Sequence, residues 1–259
     1  MIIYIDAQKM ADTGFRSELK DLCRSQGICG CRLLCLVEGY GGYGNIIDLW
    51  VQYSDGRMTS AAVKYGADMT VVMSGGTDAA ELRGFIEMTG AAAVSFDRPF
   101  YEAGAVGAVM ECREIRKAVL PQDTRTETDV PLVQAYELMK KCEGQGFVCP
   151  EYEDFMLDAS HKLRHGNALC CGLYRNDRLC SFAMTAAMTE DTAVIGAVCT
   201  GKEARKQGFG SAVVLSLVNM LGNRRILLAR DIDLNENFYK RLGFRDTMSL
   251  YILDLNKRS

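Results

Sequence analysis

The stretch from Thr192 to Leu221 constrains this chain more than any other. It opens with Thr192 to Cys199, an apolar run with valine and isoleucine at its centre, which reads as a strand. A polar loop from Thr200 to Gln207 follows, and Phe209 to about Leu221 reads as a helix. The short apolar run Arg225 to Ala229 then reads as another strand. A strand, a helical crossover and a second strand make the two strands parallel, so their C-terminal ends share one edge. Ligands collect at such edges. The pattern is that of a layered α/β fold.

The flanking sequence extends that pattern. Pro131 to Cys142 and Pro150 to His165 are amphipathic helix candidates with proline at or near the first turn. Asn167 to Tyr174 and Leu179 to Ala187 form a hairpin turning at Arg175-Asn176-Asp177, and Thr192 to Cys199 pairs with it across Thr189-Glu190-Asp191. A helix from about Asn235 to Leu242 and a strand from Phe244 to Leu253 close the chain. Pro121 to Pro131 is polar, bracketed by prolines and free of apolar periodicity, so it reads as a linker. The expected division is an α/β domain at 1–120, a linker at 121–131 and a second domain at 132–259.

Ahead of the linker, Met10 to Ser25 has helical spacing through Phe15, Leu19, Leu22 and Cys23. Ile46 to Tyr53 and Met58 to Lys64 read as a hairpin turning at Ser54-Asp55-Gly56-Arg57. Met69 to Met73 is a further strand, Thr77 to Met88 a helix capped by Thr77, and Ala92 to Phe96 a strand. Both halves thus share one order of elements, which makes a duplicated architecture plausible. The glycine-rich patch Gly39 to Gly44 lacks a strand-to-helix context and reads as a surface loop or lid.

Composition narrows the class. At 259 residues, 48% hydrophobic and 24% charged, the chain can build one large core or two small ones. A formal net charge of -3 argues against a general nucleic-acid binder. No apolar run approaches a bilayer span, and the start, Met1-Ile2-Ile3-Tyr4-Ile5-Asp6, lacks a signal-type pattern. The expectation is a cytoplasmic protein with no nucleic-acid or membrane partner.

The 11 cysteines are spread through the chain, unlike those of a short disulfide scaffold. Cys29-Gly30-Cys31 and Cys35 form the tightest group, but no second pair stands at zinc-ribbon spacing. His161 and His165 share a helix face without the glutamate of a metalloprotease helix or a third ligand. No metal is expected, and the cysteines read as reduced core thiols.

Arg205-Lys206-Gln207-Gly208-Phe209-Gly210 lies where the loop opens the helix. A helix start presents unpaired N–H groups and the positive end of the macrodipole, which together suit a pyrophosphate. Gly208 and Gly210 keep side chains from holding phosphates away from the backbone, and Arg205 and Lys206 add charge-assisted contacts. The equivalent junction in the first half, Ser74-Gly75-Gly76-Thr77-Asp78, has no basic residue and places Asp78 where an anion would bind.

Arg205, Gly208 and Gly210 match the coenzyme A signature of the GNAT superfamily: Gln or Arg, two residues, Gly, one residue, then Gly or Ala. The C-terminal half therefore resembles a GNAT acyl-CoA N-acyltransferase with a mixed sheet, and the N-terminal half a degenerate GNAT-like domain. In that family the strand before the loop splays from its neighbour and its backbone bonds the pantetheine arm, at positions matching Val198 and Thr200. The resemblance implies cofactor contacts from Val198, Cys199 and Thr200, from Arg205, Lys206, Gln207, Gly208, Phe209, Gly210 and Ser211, and from Asn235 and Phe238.

Asn235 to Phe244 resembles the family's later segment, an aromatic-Tyr pair followed by three residues and Gly-Phe. Tyr239 falls where many members protonate the departing thiolate, and a phenol and a coenzyme A thiol have comparable acidities. The alternative is a tyrosine that packs against the cofactor. The strand before the loop carries no carboxylate, so Asp231 and Asp233 are the candidate bases or else helix caps. Cys199 has no nearby histidine to activate it as an acyl-accepting nucleophile, so direct transfer is favoured. The implied function is transfer of an acetyl group from acetyl-CoA to a primary amine of a small molecule or peptide. A CoA-binding regulator without catalysis and a non-enzymatic interaction protein stay open as alternatives. The first half is expected to shape the acceptor pocket or to mediate a homodimer.

Overall fold

The computed structural model describes residues 1–41, 45–101, 106–144 and 147–258. By contacts the chain divides into a unit of residues 1–109 with 247–259 and a unit of residues 110–246.

The first unit opens with β1 (Ile2–Ile5), α1 (Ala7–Ala11), α2 (Thr13–Arg24) and α3 (Ile28–Tyr40). Strands β2 (Ile47–Ser54), β3 (Arg57–Tyr65) and β4 (Asp68–Met73) follow, then α4 (Ala79–Met88) and β5 (Ala93–Phe96). Strands β1 to β4 pair antiparallel in sequence order, and β4 pairs parallel with β5 across the α4 crossover. The β2–β3 hairpin turns where expected, with φ of 51° at Asp55 and 74° at Gly56, the left-handed pair of a tight turn. Leu82 and Ile86 of α4 pack with Val71, Val94 and Phe96 of the strands beneath.

Two features of this unit differ from expectation. Asp78 caps α4 in place of Thr77, accepting from the N–H groups of Ala80 and Glu81 at 3.1 and 3.0 Å. The Thr77 hydroxyl instead donates to the Thr59 carbonyl at 2.8 Å. Helix α3 has no sequence signal because its apolar residues are spread over nearly every face, with Arg32 and Glu38 its only charges, so no amphipathic stripe marks it. Cys29, Cys31 and Cys35 are buried within it. Gly39 and Tyr40 of the expected loop are its last turn, while Gly42, Tyr43 and Gly44 lie outside the described residues.

Strand β6 (Gly107–Cys112) leads from the first unit into the second. There the elements are β7 (Arg125–Glu127), α5 (Leu132–Lys141), α6 (Tyr152–Arg164), β8 (Cys170–Arg175), β9 (Arg178–Met188) and β10 (Thr192–Thr200). Helix α7 (Phe209–Leu221), β11 (Arg225–Asp231) and α8 (Glu236–Arg241) complete the unit, and β12 (Phe244–Asp254) carries the chain onward. The segment expected as a linker thus contains β7, an edge strand paired antiparallel with β8. Its charged, three-residue length gave no alternation to read.

Strands β7 to β10 pair antiparallel in order, and β10 pairs parallel with β11 across α7. The two units therefore repeat one topology, four antiparallel strands and then a parallel strand reached through a helix. In the second unit α7 covers one face of the sheet, with Val213, Val214 and Leu217 against Cys171, Ala183 and Ile226. Helices α5 and α6 cover the other, with Ala135, Leu138 and Ala159 against Cys170, Phe182 and Cys199. Residues Thr247 onward belong to the first unit, where Tyr251 to Asp254 pair with β5 and Tyr251 stacks on Phe96 at 5.6 Å. Among the described residues no helix is long and apolar enough to cross a membrane.

Candidate functional site

In the second unit β10 is not a regular strand. Between its pairs with β9 at Ile195↔Thr185 and Val198↔Ala183, three steps on β10 oppose two on β9, a bulge. The bulge switches the side-chain alternation. Ala193 and Ile195 face α7, yet beyond it Val198 faces α7 while Cys199 faces α5 and α6. Gly196 sits at the bulge because a side chain there would approach the Ala186 Cβ to 2.6 Å.

The parallel pairing of β10 with β11 runs from Thr192↔Arg225 to Ile195↔Leu228 and ends there, although β10 continues to Thr200 and β11 to Asp231. The end of β10 is held from its β9 side. The buried Ser181 hydroxyl donates to the Cys199 carbonyl at 2.9 Å and shares a 2.8 Å hydrogen bond with the Thr200 hydroxyl. The Gly201 N–H donates to the Cys180 carbonyl at 2.9 Å.

A short 3-10 turn at Lys202–Ala204 leads into the loop, and the backbone then enters α7 through left-handed residues, Lys206 at φ 61° and Gly208 at φ 86°. The two glycines serve different needs. A side chain at Gly208 would meet nothing closer than 3.9 Å, so the position demands left-handed backbone. A side chain at Gly210 would lie 3.1 Å from the Thr200 hydroxyl and 3.6 Å from the Phe238 ring, so that position demands close approach. Helix α7 has no side-chain cap and no acid in its first turn. Its leading N–H groups are left for a ligand or water.

These elements enclose a cleft of about 760 Å³. It brings together Val198, Cys199, Thr200, Arg205, Lys206, Gly208, Gly210, Ser211, Asn235, Phe238 and Tyr239. Gln207 and Phe209 are not among its lining residues. The Gln207 amide is engaged with the Glu203 carbonyl and with Arg175 at 3.1 Å, and the Phe209 ring is fully buried beneath the Arg175 guanidinium at 4.4 Å. Asn235 starts α8 in left-handed backbone at φ 60°, and its side chain makes no capping hydrogen bond. Asp231 and Asp233 are exposed, line no part of the cleft and leave the α8 cap position to Asn235.

The cleft also contains residues that sequence reasoning did not place there. Lys141, Cys142, Glu143 and Phe147, from the end of α5 and the loop after it, form one wall, with Lys202 and Arg241 elsewhere on the rim. Lys140 and Lys141 read in sequence as the usual basic end of a helix. Only the packing of α5 against β10 brings Lys141 here. With Lys141, Lys202, Arg205, Lys206 and Arg241 against Glu143 alone, the cleft is cationic in a chain of net charge -3. Such focusing favours an anionic ligand.

At the inner end, the Tyr239 ring packs edge-on against Phe238 and Phe244, with centroids at 4.9 and 5.9 Å. Burial pushes its phenol up to about 12, with the nearby Cys199 adding to the effect. Tyr239 therefore stays protonated at neutral pH and is a weaker acid than its unburied equivalent. Burial likewise pushes the Cys199 thiol up, with Cys142 contributing, which leaves it a poor nucleophile. Glu143 is held below the usual carboxylate range by Lys140 at 2.8 Å and by the Cys149 N–H at 3.3 Å.

The model of the Acetyltransferase (GNAT) family matches residues 132–244, and this segment is a GNAT domain. No curated protein matches the chain in sequence. Among solved structures, the fold is shared with a tandem GNAT protein from the clavulanic acid biosynthesis pathway. That pair is 12% identical with a TM-score of 0.60, covering 98% of this chain and 99% of the other. A GCN5-related N-acetyltransferase from Sphaerobacter thermophilus is 14% identical with a TM-score of 0.60, covering 98% and 96%. An acetyltransferase from the GNAT family from Colwellia psychrerythraea is 8% identical with a TM-score of 0.63, covering 97% and 98%. At such identities the likeness is one of fold, and it extends over both units.

Proposed function

We propose that the second unit binds acetyl-CoA in this cleft and transfers the acetyl group to a primary amine of a small molecule or peptide. The observation that carries the reading is the uncapped start of α7 at the end of the bulged β10, ringed by Arg205, Lys206, Lys202, Lys141 and Arg241. Pyrophosphate suits the N–H groups of Gly210 and Ser211, with Arg205 and Lys206 supplying charge-assisted contacts. The pantetheine arm suits the β10 backbone from Val198 to Thr200, beyond the last pair with β11.

Acetyl-CoA supplies a thioester carbonyl, and direct attack by a neutral amine gives an oxyanion. We assign the stabilisation of that charge to backbone N–H near Val198. Tyr239 donates to the departing sulfur and delivers its proton as charge builds there. Its raised pKa makes early, complete proton transfer uphill, so the donation strengthens only as the carbon–sulfur bond breaks. Glu143 is the only carboxylate among the described residues lining the cleft. Its depressed pKa suits it to drawing an ammonium group in rather than to taking a proton, which leaves deprotonation of the amine to water.

Calorimetric titration with acetyl-CoA tests the binding step, and absence of binding sinks the reading. For catalysis, Tyr239→Phe assayed against an amine panel is expected to lower kcat by about a hundredfold, a usual contribution of a general acid, with acetyl-CoA affinity kept. Unchanged turnover removes Tyr239 from the mechanism.

A further inference from the structure

The wall of the cleft carries thiol groups that acyl transfer does not use. Cys142 follows α5, is half-buried, lines the cleft and donates its Sγ–H to the Thr200 carbonyl at 3.4 Å. Cys199, the residue before Thr200, is buried, lines the same cleft and lies near enough to Cys142 for that thiol to raise its pKa further. The partly exposed thiols elsewhere in the chain, Cys112 and Cys180, are not in this cleft.

We propose that Cys142 is a thiol-modification site for the disulfide of a phosphorylated thiol, coenzyme A disulfide being the simplest example. The inference rests on the acetyl-CoA reading, since the same cations and the same α7 start would hold the phosphates. A pantetheine arm lying along Val198 to Thr200 passes the Thr200 carbonyl, where the Cys142 Sγ rests. Bound acetyl-CoA and a bound disulfide thus present different electrophiles, a carbonyl carbon and a sulfur, to a thiol on the wall of one channel.

The step is a thiol–disulfide exchange. Cys142 gives up its proton and attacks one sulfur of the disulfide. A bond forms between Sγ and that sulfur, the original S–S bond breaks, and the second thiolate leaves and takes up the proton. Cys142 is oxidised, half of the disulfide is reduced, and no further oxidant is needed. Cys199 is positioned to resolve the adduct, but its thiol stays protonated in its apolar surroundings, so the mixed disulfide persists until an external thiol reduces it. While it persists, the pantetheine channel is filled.

The test uses the full, reduced chain and coenzyme A disulfide, read by intact and peptide mass spectrometry. One coenzyme A unit is expected on Cys142, formed about tenfold or more faster than on Cys112 or Cys180, because a bound disulfide presents its sulfur at high effective molarity. Saturating acetyl-CoA slows the labelling, and Cys142→Ser abolishes it. Absence of an adduct, equal labelling of Cys180, or labelling indifferent to acetyl-CoA overturns the proposal. Calorimetry on the same sample separates the two readings: acetyl-CoA binding without an adduct defeats this inference alone, and no acetyl-CoA binding defeats the cleft assignment beneath it.

Discussion

Helices α4 and α7 each begin where a central strand ends, yet their first turns are finished in opposite ways. At α4 the protein fills its own anion site. Asp78 accepts from the N–H groups of Ala80 and Glu81, Glu81 adds a second acid to the first turn, and the buried Gln52 ties the Asp78 N–H to β2 at 2.9 Å. At α7 the cap position is a glycine, the first turn holds no acid, and the nearest charged groups on the loop are Arg205 and Lys206. The strands differ in the same sense. Strand β4 pairs with β3 in unbroken register, whereas β10 is bulged against β9 and parts from β11 after Ile195. One topology thus serves twice, once as scaffold and once as a cleft. The difference lies in which groups satisfy a few backbone N–H donors.

Giving α7 the acid that α4 carries is the most severe way to break this contrast. Ser211→Asp places a carboxylate near the proposed pyrophosphate site. At about 5 Å and an effective dielectric near 20, two unit charges repel by about 3 kcal/mol. Acetyl-CoA affinity is expected to fall by about a hundredfold or more in calorimetry, while the helix keeps its stability because an acid suits its first turn. A smaller loss is expected from Arg205→Gln, about tenfold in Kd, the usual size of one charge-assisted contact, and raising the salt concentration should narrow it. The reverse change, Asp78→Ala, tests the scaffold side. Losing that cap should cost about 1 kcal/mol of unfolding free energy in denaturant titration and leave acetyl-CoA affinity unaltered.

The last expected effect is confined to alkaline solution. Tyr239 has its folded-state pKa raised from the ordinary 10.0 to about 12. Above pH 10 the unfolded chain releases this proton while the folded chain retains it, so the contribution is present below pH 10 and lost as pH rises towards 12. Tyr239→Phe should flatten that part of the stability profile. Tyr53 of the first unit has a similarly raised value and should preserve the rest of the slope.

Much of the fold is legible in the sequence because the second unit uses amphipathic or bounded elements. The run from β8 to α8 follows its apolar periodicity closely, and both hairpins are marked by turn residues that tolerate left-handed backbone, Asp55 and Gly56 in one and Asn176 and Asp177 in the other. Helix α3 has no such stripe, and β7 is too short and charged to show one. The expected cap at Thr77 fails because Asp78 is the better acceptor and the Thr77 hydroxyl is engaged by Thr59.

The sequence alone determined the strand, the glycine-bearing loop and the helix from Thr192 to Leu221, together with the basic charge at Arg205 and Lys206. These follow from local periodicity and from the backbone freedom of glycine. Tertiary structure decided what that loop faces. The bulge at Gly196 depends on Ala186 of the neighbouring strand, Lys141 and Glu143 reach the cleft only through the packing of α5 on β10, and Asp231 and Asp233 are excluded by the course of β11 into α8. Such placements depend on residues distant in sequence, and local spacing carries no record of them.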